Sequence, residues 1–198
     1  MNPITNINHL DFSKYYTYAD YMTWKFSERV ELWKGKIMRM APAPSRRHQE
    51  IAMKLSGEIY LYLKDKKCVC YPATFDVTLP ISKKEGKTDT VVQPDLTVIC
   101  NSEILTEQGC NGAPDLVVEV LSPGNSKREL KGKFELYQES EIKEYWLIRQ
   151  MEQSLVIYTL DADKKYVGSK YYTVDDTVES GVLPGLNLQV GEIFSSNL

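Results

Sequence analysis

The chain has 198 residues, of which 42% are hydrophobic and 26% are charged, a composition that supports one well-buried core and does not favour two full domains. The formal net charge of −3 argues against a protein that coats nucleic acid non-specifically, because such binding needs many Lys and Arg contacts to phosphate. No apolar run approaches the roughly 20 residues of a membrane span, and no signal pattern opens the chain, so we expect a cytoplasmic protein without membrane attachment.

Hydrophobic patterning in the first third of the chain predicts two helices separated by a hairpin. Alternation on either side of a Lys-Gly pair is typical of a hairpin, and apolar residues four positions apart are typical of the buried stripe of a helix. The predicted elements are a short aromatic-rich helix in Tyr15–Phe26 that begins near Thr17, a hairpin over Val30–Met40 around Lys34-Gly35, a connector over Ala41–Ser45 with Ser45 as helix cap, and a long helix bearing Ile51, Leu55, Ile59 and Leu63.

The rest of the chain predicts a run of strands interrupted by one helix. Two segments are so dense in Val, Ile and Leu that they suit interior strands covered on both faces. In chain order the elements are strands at Val69–Tyr71 and Thr74–Leu79, a charged loop at Ser82–Thr90, the two apolar strands at Leu96–Cys100 and Leu116–Leu121, a helix at Ser126–Glu139, strands at Tyr145–Ile148, Leu155–Leu160 and Tyr166–Tyr172, and a turn at Leu183-Pro184-Gly185. This order predicts a single α/β domain over residues 1–198, with a core of about 28–194 and a mixed sheet.

The cysteine pattern carries no metal signal. Cys68, Cys70, Cys100 and Cys110 do not match a recognised zinc spacing, and neither histidine lies near a cysteine in the sequence. We therefore expect free thiols that are buried or half-buried.

The strongest single feature is a carboxylate inside an apolar strand. Glu119 lies within Leu116–Leu121 and has apolar neighbours on both sides. An ionised carboxylate in such a place costs several kcal/mol unless a cation or strong donors compensate it. Either a bound metal or a buried ion pair with a structural Lys or Arg satisfies this requirement.

Two further acidic residues belong to the same pair of predicted strands. Asp95 opens the strand before Glu119, and the two carboxylates converge on one cation if the strands are antiparallel neighbours. Asp115 is four residues before Glu119, so alternation places it on the same face, although it also suits a strand start or a turn cap. Carboxylates that meet at the edge of a sheet form a hard oxygen site suited to Mg²⁺ or Mn²⁺.

Lys133 lies beside the apolar stripe of the helix that follows. Leu130, Phe134 and Tyr137 form this stripe at helical spacing. A lysine at the border of a buried face either extends to water or reaches over the sheet edge towards Glu119. Carboxylates, a divalent metal and a lysine together are what phosphodiester hydrolysis needs.

These motifs resemble those of the Uma family, bacterial proteins assigned to the PD-(D/E)XK, or restriction-endonuclease-like, superfamily. The resemblance extends from about Val30 to Phe194 in the family's order, and its most specific part is the Ala-Pro-Asp-Leu-Val-Val-Glu-Val run. The matching segments are Gln93-Pro94-Asp95-Leu96, Gly112 to Pro123, Lys133 with Tyr137, and Glu144-Tyr145-Trp146.

The resemblance implies a restriction-endonuclease-like fold: a central mixed sheet flanked by helices, with an N-terminal helix and β-hairpin. It implies that Asp95 and Glu119 bind a divalent metal, Mg²⁺ or Mn²⁺, and that Glu31 completes the acidic cluster, although Glu31 also suits a solvated hairpin residue. Leu121 occupies the place of the superfamily lysine, so that role passes to Lys133. The possible supporting residues are His48, Gln49, Gln93 and Asp115, of which His48 also suits local bonding at a helix start.

The leading functional hypothesis is a metal-dependent endonuclease that acts on DNA as a homodimer, with Asp95, Glu119 and Lys133 as catalytic residues. A catalytically silent member of the fold that binds nucleic acid or a protein partner is the alternative, because a fold does not by itself imply an activity. A small-molecule hydrolase that uses the same carboxylates is a third, weaker reading, and no Gly-x-Ser-x-Gly or His-Glu-x-x-His motif supports the commoner hydrolase classes.

Overall fold

A computed structural model describes residues 4–40, 43–81, 87–124 and 126–195. The helices are α1 (Tyr18–Tyr21), α2 (Arg46–Leu63), α3 (Lys127–Glu139) and α4 (Val190–Phe194), with 3-10 turns at Ile7–His9 and Ser102–Ile104. Of the helices in these ranges, none is both long enough and apolar enough to cross a membrane.

Fourteen strands are present in the described ranges, and they form two six-stranded sheets and one two-stranded sheet. In chain order they are β1 (Val30–Trp33), β2 (Lys36–Arg39), β3 (Val69–Pro72), β4 (Asp76–Thr78), β5 (Val91–Val92), β6 (Leu96–Ile99), β7 (Leu105–Thr106), β8 (Gly109–Asn111), β9 (Leu116–Leu121), β10 (Glu144–Arg149), β11 (Ser154–Leu160), β12 (Tyr166–Gly168), β13 (Thr177–Val178) and β14 (Leu188–Gln189).

The central sheet has the strand order β12-β11-β10-β9-β6-β3. The pair β9–β10 is parallel and the other neighbours are antiparallel, so the sheet is mixed, as predicted. The two apolar strands, β6 and β9, are antiparallel neighbours, with Leu96 opposite Val118. Both lie in the interior of the sheet and are almost wholly buried, which explains their Val, Ile and Leu content.

Helices cover the two faces of this sheet, and β9 divides its side chains between them. The predicted stripe of α2 packs with Val118 and Val120 in one apolar cluster. Val117, one residue out of step, belongs to the other cluster, with Leu136 and Tyr137 of α3. Since alternate residues of a strand point to opposite faces, Glu119 points to the side of α3.

The second sheet, ordered β2-β1-β5-β4-β8-β7, carries the N-terminal hairpin beside the central sheet. The predicted turn is confirmed: Val30 pairs with Arg39, and Lys34 and Gly35 have φ of 47° and 77°. Two consecutive positive φ values are what a two-residue hairpin turn of the favoured hand requires. This hairpin brings Glu31 towards the other acidic residues.

The N-terminal helix is shorter than predicted. It covers only Tyr18–Tyr21, and Thr17 caps it through a reciprocal bond with Asp20. The aromatic residues that suggested a longer helix instead pack ring against ring after the helix has ended, with the Trp24 and Phe26 centroids 5.4 Å apart. Packing of rings therefore overrides helical propensity in this segment.

The expectation of free thiols is wrong for two of the four cysteines. Cys68 and Cys100 form a disulfide that joins the start of β3 to the end of β6, whereas Cys70 and Cys110 are free. The charged loop predicted at Ser82–Thr90 lies outside the described residues at positions 82–86, as does the connector at positions 41–42.

Candidate active site

Strand register places Asp95 and Glu119 side by side. Leu96 pairs with Val118, so the antiparallel ladder, continued by one residue, sets Asp95 opposite Glu119. Asp95 N donates to Val118 O at 3.0 Å, and Asp95 Oδ2 accepts from Val120 N at 2.8 Å. The aspartate is thus fixed to the backbone on both sides of Glu119.

Helix α3 supplies two groups that contact Glu119. Lys133 Nζ lies 2.7 Å from Glu119 Oε1, and the Tyr137 hydroxyl donates to the same oxygen at 2.5 Å. Lysine and tyrosine four residues apart lie on one side of a helix, and both side chains are buried here. Of the two alternatives for Lys133, the structure shows the one in which the lysine reaches over the sheet edge.

Glu31 from β1 forms the other side of the lysine. Its Oε1 lies 3.3 Å from Lys133 Nζ and accepts from Gln93 N at 2.9 Å, and its Oε2 accepts from Trp33 Nε1 at 2.9 Å. The residue is buried, with 3% of its surface exposed, so it is not a solvated hairpin residue. A side chain at Gly132 would meet the Trp33 ring at 2.4 Å, so this glycine permits α3 to lie against the hairpin.

His48 approaches Asp95 from the first turn of α2. Ser45 caps the helix by accepting from His48 N, and His48 Nε2 lies 3.2 Å from Asp95 Oδ2. The imidazole also lies near the backbone of Val120. Its Nδ1 is buried and has no hydrogen-bond partner in the described part of the chain. The ring is therefore held by its contacts to the acidic strands.

Burial and charge oppose one another at the centre of the site. Burial raises the pKa of the Glu119 carboxyl to about 7, against the lowering effect of Lys133. Burial lowers the pKa of Lys133, but Glu119 and Glu31 outweigh it and raise that pKa above its ordinary range, so the ammonium stays charged. The pKa of Tyr137 is raised well above its ordinary value by burial and by Glu119, so the phenol stays a donor.

The same opposition acts on His48. Burial lowers the pKa of its imidazole, whereas the hydrogen bond and the negative charge of Asp95 raise it, and the net change is upward. The acidic pair thus favours the positively charged imidazolium.

The acidic residues open into one cavity of about 450 Å³, which is also lined by cationic side chains from β2, from α3 and from the segment before β1. The side chains of Glu119 and Asp95 keep 11% and 20% of their surface exposed. The cations are Arg29, Arg39, Arg128 and Lys133. Phosphate groups are attracted to arginines placed around a site in this way.

The donor set fits a hard divalent cation. Asp95 and Glu119 offer carboxylate oxygens to the same cavity, and Mg²⁺ is commonly bound by one or two carboxylates, with water and substrate phosphate as its other ligands. No group of three or more His, Cys, Asp or Glu side chains in the described ranges is close enough to hold a metal ion. Glu31, predicted as a third ligand, instead directs its oxygens to Lys133, Gln93 and Trp33.

Two predicted supporting residues lie away from this cavity. Asp115 accepts from Cys100 N at 2.7 Å and from Lys143 Nζ at 2.6 Å, at the opposite end of β9. Alternation predicts the face of a strand residue but not its distance, and four residues span about 13 Å. Gln49 is exposed on α2 and does not line the cavity.

Gln93 lies in the site, and it leads to a polar network that the sequence analysis missed. Gln93 Oε1 accepts from Arg29 Nη2 at 3.1 Å, and Gln93 Nε2 donates to Asp76 Oδ1 at 2.7 Å. The Tyr21 hydroxyl donates to the same Asp76 oxygen at 3.2 Å. These residues are far apart in sequence, so no spacing marks them. Tyr137, in contrast, was indicated by the sequence, because it lies one helical turn after Lys133.

Comparison with known proteins gives a consistent picture. A family model described as "Uma2: Putative restriction endonuclease" matches residues 18–191. A protein of Synechocystis sp. described as "Uncharacterized protein slr1290" is 26% identical over 178 residues, which are 88% of this chain and 89% of that protein. A crystal structure of a "putative nuclease belonging to DUF820" from Anabaena variabilis has a TM-score of 0.70 at 21% identity, and the match covers 90% of this chain and 97% of that one. This likeness shows the fold.

Proposed function

Since the chain belongs to the Uma2 family, we propose that it is a metal-dependent endonuclease that hydrolyses phosphodiester bonds in DNA. The observation that carries the proposal is the position of Lys133, buried between Glu31 and Glu119 and beside Asp95 at the wall of an open cavity. Leu121 occupies the strand position of the superfamily lysine. In this proposal Lys133 of α3 supplies the ammonium group instead.

Asp95 and Glu119 would hold the cation, Mg²⁺ or Mn²⁺. Such an ion, when bound, lowers the pKa of a water molecule and neutralises the charge of the phosphate. Asp95 Oδ2 and Glu119 Oε1 already accept hydrogen bonds, so each carboxylate has a second oxygen for this purpose. Both side chains retain exposure towards the cavity.

The other residues orient and stabilise charge. Lys133 Nζ, held by two carboxylates, presents a permanent positive charge to the negative charge that develops on the phosphate in the transition state. Tyr137 fixes Glu119 by a hydrogen bond, and Glu31 keeps Lys133 in place. His48 fixes the Asp95 carboxylate from the opposite helix.

The arginines that line the acidic cavity support a nucleic-acid substrate. Arg29, Arg39 and Arg128 surround the acidic pair, so a phosphodiester can enter a site that is itself acidic. We propose DNA as the substrate and a homodimer as the assembly, because nucleases that cut both strands of a duplex often pair. A cytoplasmic enzyme would meet this substrate.

Cleavage assays test the proposal directly. The wild-type protein is incubated with plasmid and with labelled oligonucleotides in Mg²⁺, in Mn²⁺ and in EDTA, beside the variants Asp95→Asn, Glu119→Gln and Lys133→Met. Lys143→Met is the matched control, because Lys143 also pairs with a strand carboxylate but lies outside the cavity and is exposed. We expect metal-dependent cleavage that the three site variants lose and the control keeps. Equal cleavage by wild type, Asp95→Asn and Glu119→Gln would contradict the assignment.

A second candidate is a nuclease-fold protein that binds nucleic acid or a protein partner without cleaving. The ion pair between Lys133 and Glu119 favours it, because this contact uses an oxygen of the carboxylate that a catalytic metal would need. Oligonucleotide binding by wild type without hydrolysis in either metal would select this candidate.

A further inference from the structure

A second cavity lies next to the acidic one and shares its wall. It has a volume of about 320 Å³, and Arg29 and Gln93 line both cavities. Its aromatic lining residues are Tyr21, Trp24 and Phe26, beside the charged Lys25 and Glu28. An acidic, arginine-rimmed cavity thus shares two lining residues with a cavity that is rich in aromatic rings.

The aromatic wall is held in place by ring packing. Trp24 is 8% exposed, and its ring lies 5.4 Å from the ring of Phe26 and 5.7 Å from that of Tyr21, measured between centroids. Tyr16 closes the back of Trp24 by an edge contact at 5.3 Å. Phe26 is half-buried, as are Tyr16 and Tyr21, and the three rings pack around the buried Trp24.

The polar wall between the cavities is fixed as well. Gln93 Oε1 accepts from Arg29, and Gln93 Nε2 donates to Asp76 and to the Tyr21 hydroxyl. Both ends of the amide are therefore occupied within the protein. Arg29 is held by this amide and lines both cavities.

We propose that the aromatic cavity receives an unstacked nucleobase of the strand whose phosphate lies in the acidic cavity. The inference rests on the proposed function and specifies its substrate: a single strand, or a duplex that is locally unpaired. Bases stack on aromatic side chains whatever their sequence, because every base has a π face. The amide of Gln93 is already committed within the protein, so it does not read the edge of the base; the base is held by stacking, and Arg29 bridges the base site and the phosphate site.

Equilibrium binding in EDTA tests the inference without cleavage. Three labelled ligands of equal length are titrated by fluorescence anisotropy: a mixed-sequence single strand, the duplex of that strand, and an abasic deoxyribose-phosphate oligomer that has the phosphates but no bases. We expect wild type to bind the single strand about tenfold more tightly than the abasic oligomer, the effect of stacking one base. The duplex should also bind more weakly than the single strand.

Variants of Phe26 locate the effect. Phe26→Leu keeps an apolar side chain without a π face, so the preference for bases over the abasic oligomer should fall to about twofold or less. Phe26→Tyr restores a ring and should restore the preference. Tyr171→Leu is the matched control, because Tyr171 is an aromatic residue that is 60% exposed and lines neither cavity. Circular dichroism confirms that each variant is folded.

Equal affinity of wild type for the single strand and the abasic oligomer would overturn the inference, as would a preference that Phe26→Leu leaves intact or binding to none of the three ligands. The proposed function has a separate readout, since it fails when Asp95→Asn cleaves as well as wild type. A protein that cleaves through Asp95 and yet ignores the bases would remain a nuclease without a base site.

Discussion

Two buried glutamates on adjacent parallel strands of the central sheet have opposite surroundings. Glu119 of β9 contacts a lysine and a tyrosine and faces an open cavity. Glu144 of β10 is 1% exposed, and its oxygens accept from Trp146 Nε1 at 2.9 Å, Ser180 Oγ at 2.7 Å, Gly181 N at 2.6 Å and Val182 N at 3.1 Å. One carboxylate is balanced by a cation and the other by neutral donors.

The difference shows that burial alone does not identify a functional carboxylate. Glu144 is enclosed by its donors, which belong to its own strand and to a turn 36 to 38 residues later, so it holds that turn against the sheet. Glu119 keeps partial exposure, a charged partner and a neighbouring aspartate. A strand carboxylate such as that of Glu119 therefore has unused acceptor capacity at a place that ligands can reach.

The largest expected effect is on turnover. Glu119→Gln should lower kcat by about 10²–10³-fold, the loss expected when one group that stabilises transition-state charge is removed. Glu144→Gln should leave the kcat of the folded protein within about twofold of wild type, because Glu144 does not line the acidic cavity. Steady-state cleavage of a labelled oligonucleotide measures both. A comparable loss of kcat in Glu144→Gln would remove the distinction between the two glutamates.

The free energy of unfolding should show the reverse order, with the larger loss in Glu144→Gln. In either orientation Glu144→Gln sets an amide N–H₂ against donors, either the backbone N–H groups of residues 181 and 182 or Trp146 Nε1, and we expect the free energy of unfolding to fall by about 2–3 kcal/mol. Glu119→Gln should not lower it, because Glu31 still pairs with Lys133, the amide oxygen can still accept from Lys133 and Tyr137, and the cost of burying a charge disappears. Urea denaturation of both variants tests this ranking, which a larger loss in Glu119→Gln would reverse.

Bound metal should stabilise the protein through the carboxylates at the acidic cavity, Asp95 and Glu119, and not through Glu144. At a Mn²⁺ concentration ten times Kd, binding adds about 1.4 kcal/mol to the free energy of unfolding, which raises Tm by about 3–6 °C in a chain of this size. Asp95→Asn and Glu119→Gln should lose this shift, whereas Glu144→Gln should keep it on a lower starting Tm. Differential scanning calorimetry with and without Mn²⁺ supplies the measurement. An unchanged shift in Asp95→Asn would place the metal elsewhere.

The pH dependence of stability also distinguishes the two glutamates, over a limited range of pH. Burial raises the pKa of Glu119 from its ordinary value of 4.5 to about 7. Between these values the folded protein binds more protons than the unfolded chain, so the contribution of Glu119 to stability falls as pH rises, by less than about 1.4 kcal/mol per pH unit. Glu119→Gln should remove this slope between pH 4.5 and 7 in metal-free buffer, and Glu144→Gln should retain it. Parallel slopes for wild type and Glu119→Gln would contradict the shift.

The sequence was sufficient to predict which residues lie together in the candidate site, because their arrangement is largely local. Antiparallel pairing of two short apolar strands sets Asp95 beside Glu119, and helical spacing sets Lys133 near the sheet edge. The family resemblance added Glu31, and the hairpin that carries it was predictable from its turn residues.

Features that depend on distant segments were not predictable from pattern. Glu144 also lies in an apolar strand, but its donors come from a turn far along the chain, so sequence reasoning did not distinguish it from Glu119. The same reason applies to the disulfide of Cys68 with Cys100, which are 32 residues apart. Asp115 was predicted on the correct strand, but its distance from Glu119 is a property of strand length.

The position of a bound Mn²⁺ ion shows directly whether Asp95 and Glu119 form a metal site. A crystal of the wild-type protein grown with Mn²⁺ is measured at a wavelength where manganese scatters anomalously, and Glu144→Gln is treated in the same way. We expect one anomalous peak in the wild-type crystal and in the Glu144→Gln crystal, within about 2.0–2.3 Å of a carboxylate oxygen of Asp95 and of Glu119. No peak at this position, with Lys133 Nζ still seated on Glu119, would contradict the assignment of a metal-dependent active site.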